Sequence, residues 1–237
     1  MNTYKSSATL KSMAKGQLLG KYGTMIGANV LSGVLLGICY LLALLLVDRS
    51  SMVGTFIYYA VLFIISLFSG IIEVSKAYMN LKLVCGQEVS VSDIFYGFKQ
   101  HPDKAILIQL YITIITFVLS LPTAVSSLFL SNSTGAMVVL FIGILSVVCS
   151  VLLVITSLLF SQVFYLVLDF PQYSAKEVLR MSIRLMRGNK GRLFYLIITF
   201  LPLYLSALFS CFITLLWVTP YVEATKANFY MDIVKKK

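Results

Sequence analysis

Between residues 136 and 168 the chain runs without one charged side chain. A helix of about 20 apolar residues already spans a hydrocarbon core of roughly 30 Å. This run therefore crosses a membrane with length to spare, by tilting or by reaching beyond the bilayer. Further long apolar runs cover 24–47, 53–72, 105–128 and 193–222. With 59% hydrophobic and only 12% charged residues, a water-soluble domain has nowhere to put that much apolar surface. The expected fold class is all-α, a polytopic membrane protein forming a single membrane domain over 1–237.

Charge sets the expected topology. The formal net charge is +10, which in such a chain reflects the cytoplasmic bias of Lys and Arg and does not point to nucleic acid. If the run at 193–222 crossed once, Lys226 and the lysines at 235–237 would share the side of Arg49. If it turns back near 206–211, every Lys and Arg except Arg49 falls on one side. Six spans with both termini cytoplasmic follow, although each half of the last run is short for a crossing.

The loops carry amphipathic stretches. In 169–192, Ser174 and Glu177 form a capping-box pattern, and Gly188 supplies a stop. At about 100° per residue, Lys176, Arg180, Arg184 and Arg187 form one basic stripe on an otherwise apolar helix. Such a helix suits the plane of an anionic membrane face, so the stripe is a candidate surface for lipid head groups or a partner. Residues 1–22 read similarly, with Lys5, Lys11, Lys15 and Lys21 among Leu10, Met13, Leu18 and Leu19. Residues 92–99 read as a short helix with an aromatic face. Gly27, Gly33 and Gly37 suggest close helix packing in the first span.

One unit recurs: basic amphipathic helix, glycine-containing turn, span, tight outer turn, returning span. Repeats are expected at 1–86, 87–171 and 172–237. The returning spans pair best: Ile72-Glu73-Val74-Ser75-Lys76-Ala77 matches Val222-Glu223-Ala224-Thr225-Lys226-Ala227 in character. The fourth span offers only Gln162 and Tyr165 there. An i,i+3 Glu–Lys pair is a favourable neighbour contact, and ionisable residues near a bilayer often mark a pathway. Glu73, Lys76, Glu223 and Lys226 are thus candidates for a polar cavity; the competing reading makes them ion pairs that pin helix ends at the interface. Pro220, just before Glu223, is placed to free backbone carbonyls.

Nothing in the residues points to catalysis or a cofactor. His101 is the only histidine and has no second ligand at metal spacing. There is no G-x-S-x-G and no P-loop. Cys39, Cys85, Cys149 and Cys211 lack C-x-x-C spacing and read as small buried hydrophobes. The sequon at 132–134 matters only in a eukaryotic secretory pathway. Neither a cleavable signal peptide nor a lipidation motif is expected.

Residues 11–23, the Asp93-Ile94-Phe95-Tyr96-Gly97-Phe98 loop, the SIRLMRGNKGRLF block from Ser182 to Phe194, and Leu216-Trp217-Val218-Thr219-Pro220-Tyr221 through Ala227-Asn228-Phe229-Tyr230 together resemble the bacterial membrane-protein family called domain of unknown function 975. That family is similar to the membrane domain attached to some glycerophosphodiester phosphodiesterases, also a six-helix module. The resemblance implies a bacterial inner-membrane location and carries no catalytic residues.

Two functions are compatible with these residues. One is a non-enzymatic accessory or scaffold protein of the inner membrane beside an export or envelope system. Its partners would be anionic head groups, a membrane protein or a second copy. The other is a small transporter, or a lipid- or peptide-handling protein, with a polar cavity between the repeats. The topology has a direct check. A Ser133→Cys variant is expected to label from outside intact cells, and an Arg184→Cys variant only after permeabilisation; the reverse pattern would invert the assigned orientation.

Overall fold

The computed structural model describes residues 4–100, 102–130 and 135–235, with side chains outside the description at 123–130 and 136. His101 and the sequon at 132–134 lie outside the described residues. Among the described residues every regular element is a helix: α1 (Ser7–Leu18), α2 (Tyr22–Leu46), α3 (Met52–Val84), a 3-10 turn (Val91–Phe95) running into α4 (Tyr96–Lys99), α5 (Pro102–Leu130), α6 (Ala136–Phe160), α7 (Val163–Asp169), α8 (Ala175–Met186), α9 (Lys190–Ile198), α10 (Leu201–Phe209) and α11 (Leu215–Val234).

Among the described residues, five stretches are long and apolar enough to cross a membrane: Tyr22–Leu46, Met52–Val84, Pro102–Pro122, Met137–Asp169 and Lys190–Phe209. α11 carries Glu223, Lys226 and Asp232 and is not among them. The apolar run at 193–222 is not one helix. It breaks at Thr199–Phe200 and reverses through residues 210–214, where Cys211 and Phe212 take φ of 48° and 66°.

Serine caps open α1, the 3-10 turn and α8. Ser6 accepts from the Thr9 amide, Ser90 forms a capping box with Asp93, and Ser174 forms one with Glu177. The three serines follow one another at equal intervals along the chain. Backbone and hydroxyl hydrogen bonds from Ser174 hold the Glu177 carboxyl below its ordinary range. Gly20 and Gly188 close α1 and α8 at φ of 76° and 86°, a conformation that glycine adopts without strain.

The short helices are built into the protein. Leu10, Ala14 and Leu18 of α1 are buried as α1 packs on α11; the 3-10 turn and α4 pack on α3, and α8 packs on α5, α6 and α7. The apolar side of α8 thus meets neighbouring helices, while Lys176, Arg180, Arg184 and Arg187 stand on its exposed face. The longer helices keep one cyclic order: α2 lies against α11 and α3, α5 against α3 and α6, α9 against α6, and α10 against α11.

Glycine and cysteine placements differ from the sequence-based expectation. A methyl group on Gly33 or Gly37 would meet nothing, so neither mediates close packing within the chain. The close approaches are elsewhere. A Cβ on Gly70 would sit 2.6 Å from the Gln109 Cβ, and one on Gly97 would sit 2.4 Å from the Ile71 carbonyl oxygen. Gly97 lies inside α4 and is no turn: its amide donates to the buried Ser75 hydroxyl at 2.8 Å. Of the cysteines only Cys149 is buried; Cys39, Cys85 and Cys211 are exposed on the protein surface.

Below the apolar layer, Asp232, with only 4% of its side chain exposed, binds Arg192 at 2.8 Å. The Arg192 guanidinium also donates to the Lys5 carbonyl and lies over Tyr4 at 4.1 Å. Removing one member leaves a buried charge without its partner. Asp232→Ala is expected to cost about 3 kcal/mol in reversible unfolding of detergent-solubilised protein. Ser174→Ala removes one cap and should cost about 1 kcal/mol. Because the Glu177 value is lowered on folding, its contribution is present at neutral pH and is lost as pH falls below the ordinary glutamate range of about 4; Glu177→Gln should flatten that acid limb.

Candidate functional site

The returning helices meet at the centre. α3 packs against both α7 and α11, and α7 meets α11 where Tyr165 stacks on Tyr230 at 5.0 Å. The buried Tyr230 hydroxyl donates to Asp169 at 2.5 Å. Around this junction lies a cavity of about 140 Å³ lined by Glu73, Lys76 and Asn80 of α3, Glu223 and Lys226 of α11, and Ser161, Phe164 and Tyr165 at the α6–α7 break. All four charged residues singled out from the sequence line it.

The ion pairs in it are loose. Lys76 lies 3.9 Å from Glu73 and 3.8 Å from Glu223. Those separations give Coulomb attraction, but they exceed the 2.7–3.2 Å of a hydrogen bond. Glu223 instead takes a hydrogen bond from the Asn29 amide of α2 at 3.0 Å. Glu73 has half its side chain exposed, whereas Lys76 and Glu223 are each 21% exposed. Glu73 therefore stands at the mouth and the other two further in. Asn80, 1% exposed, lies one turn beyond Lys76.

Helix breaks shape the site. The long run from 136 is interrupted at Ser161–Gln162, which divides α6 from α7. Carbonyls freed by a break need donors. Ser161 donates to Leu158, and Ser182, fully buried on α8, donates to Leu159 at 2.6 Å. At the α9–α10 break, Lys11 of α1 donates to the Thr199 carbonyl at 2.9 Å and sits 4.0 Å from the Phe200 ring. Pro220 lies within α11, buried, one turn before Glu223.

A second cavity of about 220 Å³ adjoins the first. It is lined by Ile26, Asn29 and Val30 of α2, Lys76, and Leu215, Leu216 and Thr219 at the start of α11. Lys76 belongs to both cavities, and the Asn29–Glu223 hydrogen bond joins residues of one to the other. The second cavity lies beside the start of α11. Glu73 lies about six turns, or ~30 Å, from the start of α3, whereas Glu223 lies about two turns, or ~12 Å, from the start of α11.

Asn29, Asn80 and Ser161 did not stand out in the sequence. Asn29 and Asn80 were open to notice as amides inside long helices, where an unsatisfied polar group is costly. Ser161 was hidden among many serines that merely bond back to their own helix. The basic stripe on α8 belongs to a separate surface and does not join the cavity.

Among the described residues every regular element is a helix, and five stretches are long and apolar enough to span hydrocarbon, which defines a multi-pass α-helical membrane protein. The chain belongs to the family described as protein of unknown function (DUF975), whose model matches residues 1–237. No curated protein and no solved structure matches the chain.

Proposed function

We propose that the protein is a small, non-enzymatic transporter or lipid- or peptide-handling protein of the bacterial inner membrane, with the charged cavity as its ligand site. One observation carries this reading: Lys76 stands between two cavities and is held by carboxylates from two helices at distances too long for hydrogen bonds. An arrangement serving only to pin helix ends gains most by closing those pairs to contact. Here the Lys76 ammonium closes with neither carboxylate, and Glu223 takes its hydrogen bond from Asn29 instead. The lining is charge-balanced, two carboxylates against two ammonium groups, which suits a ligand carrying both signs.

In this reading 1–86, 87–171 and 172–237 are three copies of one unit, which the cyclic packing order and the equally spaced serine caps support. Both termini are cytoplasmic, α9 and α10 form the fifth crossing and α11 returns as a short sixth, and the cavity lies at the level of the cytoplasmic head groups. The Lys76–Glu223 contact acts as the barrier between the two cavities.

The accessory or scaffold reading has its own support in the exposed Phe95 and Phe98 and the basic face of α8, and would be favoured by a stoichiometric partner on purification. To decide between them, single cysteines are placed at Glu73 and Thr219 and labelled with small and bulky thiol reagents. A hydrated path predicts labelling at both positions by small reagents only, and increased labelling of Thr219→Cys when Lys76→Met removes the barrier. Uniform labelling of Glu73→Cys by bulky reagents, with Thr219→Cys inert in both backgrounds, would leave the scaffold reading.

A further inference from the structure

Resting on that site assignment, we infer that the ligand bound between α3, α7 and α11 carries a primary ammonium group beside a phosphate or carboxylate. The ammonium is recognised by Asn80 with the glutamates, and the acid group by Lys76 and Lys226.

The inner wall of the cavity supplies the argument. Asn80 is buried and lines the cavity, and its Oδ1 has no partner. Its orientation is fixed, because the Nδ2 donates to the Lys76 carbonyl at 2.8 Å; turning the amide over would set oxygen against oxygen. Beside the cavity, Gln162 repeats the pattern. It is fully buried, its Nε2 donates to the Ser161 hydroxyl at 2.9 Å, and its Oε1 has no partner. Ser161 already spends its proton on Leu158, so the Gln162 amide cannot be turned over either.

Both buried orphan groups are thus acceptors, and of the two it is Asn80 that lines the cavity. A buried acceptor without a donor costs about 1–3 kcal/mol, and Glu73 and Glu223 add more acceptor capacity. Neither lysine donates to the Asn80 Oδ1, so the N–H it needs is one that a ligand's primary ammonium supplies. A quaternary ammonium has the charge but no N–H, and a purely anionic ligand has neither. Lys76 and Lys226 meet the acid end as ammonium groups with unspent donors. This chemistry is common to a phosphoethanolamine lipid headgroup and to a free zwitterion such as an amino acid or short peptide. The cavity has room for a small headgroup.

The test is native mass spectrometry and thermal unfolding of the detergent-purified full chain. The probes are phosphatidylethanolamine, phosphatidylcholine and phosphatidylglycerol, then free phosphoethanolamine, phosphocholine and glycine. Primary-amine probes are expected to bind at least about tenfold more tightly than their trimethylated counterparts, the scale of one unsatisfied buried group. Asn80→Leu should abolish that preference, while Asn80→Asp, which keeps an acceptor, should retain it and serves as the control for folding. Retention of the lipid without displacement by free phosphoethanolamine assigns a lipid source; tighter binding of the free zwitterions assigns a soluble one. Equal binding of choline and ethanolamine forms, a preference for phosphatidylglycerol, or binding of none of these probes overturns the inference. The reading of the cavity as a hydrated path stands or falls separately on the cysteine labelling, which needs no ligand.

Discussion

A helix that crosses hydrocarbon must satisfy its own backbone, and any interruption leaves carbonyls that need another donor. That constraint governs how this protein is assembled. The long helices are interrupted in two places, and in each a short amphipathic helix provides the missing donor. Ser182 of α8 serves Leu159 at the α6–α7 break, and Lys11 of α1 serves Thr199 at the α9–α10 break. The remaining short element docks in reverse, with the Gly97 amide donating to Ser75 on α3. The basic amphipathic helices thus act as structural parts of the bundle as well as a charged surface.

The same economy explains why the cavity sits where it does. Once α6 stops at Phe160, the returning helix is divided, and the junction of α3, α7 and α11 is left with polar groups on every side: carboxylates, ammonium groups, a buried amide and a tyrosine. Apolar packing closes the junction from beneath through Tyr165 on Tyr230. Arg192, Asp232 and the Asn228–Gln17 pair, bonded at 2.6 Å, tie α11 to α1 and to the start of α9. The first residues of α11 and Lys76 together line the second cavity.

Much was legible from the residues. An uncharged run longer than a bilayer leaves few alternatives to a membrane helix, and Ser174 with Glu177 announces a helix start because one side chain answers the other's amide. Glu73 with Lys76 and Glu223 with Lys226 were visible because ionisable groups are rare in such helices. Hydrophobicity alone could not say that the apolar side of α8 meets protein and not lipid, since both are equally apolar. For the same reason Gly33 and Gly37, spaced for close packing, face open space, while Gly70 and Gly97 make the close approaches.

What the sequence by itself determined is the class of the molecule, the starts of its short helices and the identity of its unusual charges. These depend on local chemistry: apolar length against bilayer thickness, caps three residues apart, charge against hydrocarbon. What only the tertiary structure decided is the company those charges keep. Residues 73 and 223 are far apart in the chain, and no local rule says whether two similar helix ends meet or stand apart. They meet because α3 packs against α7 and α11, with buried Asn80 lining the same polar junction.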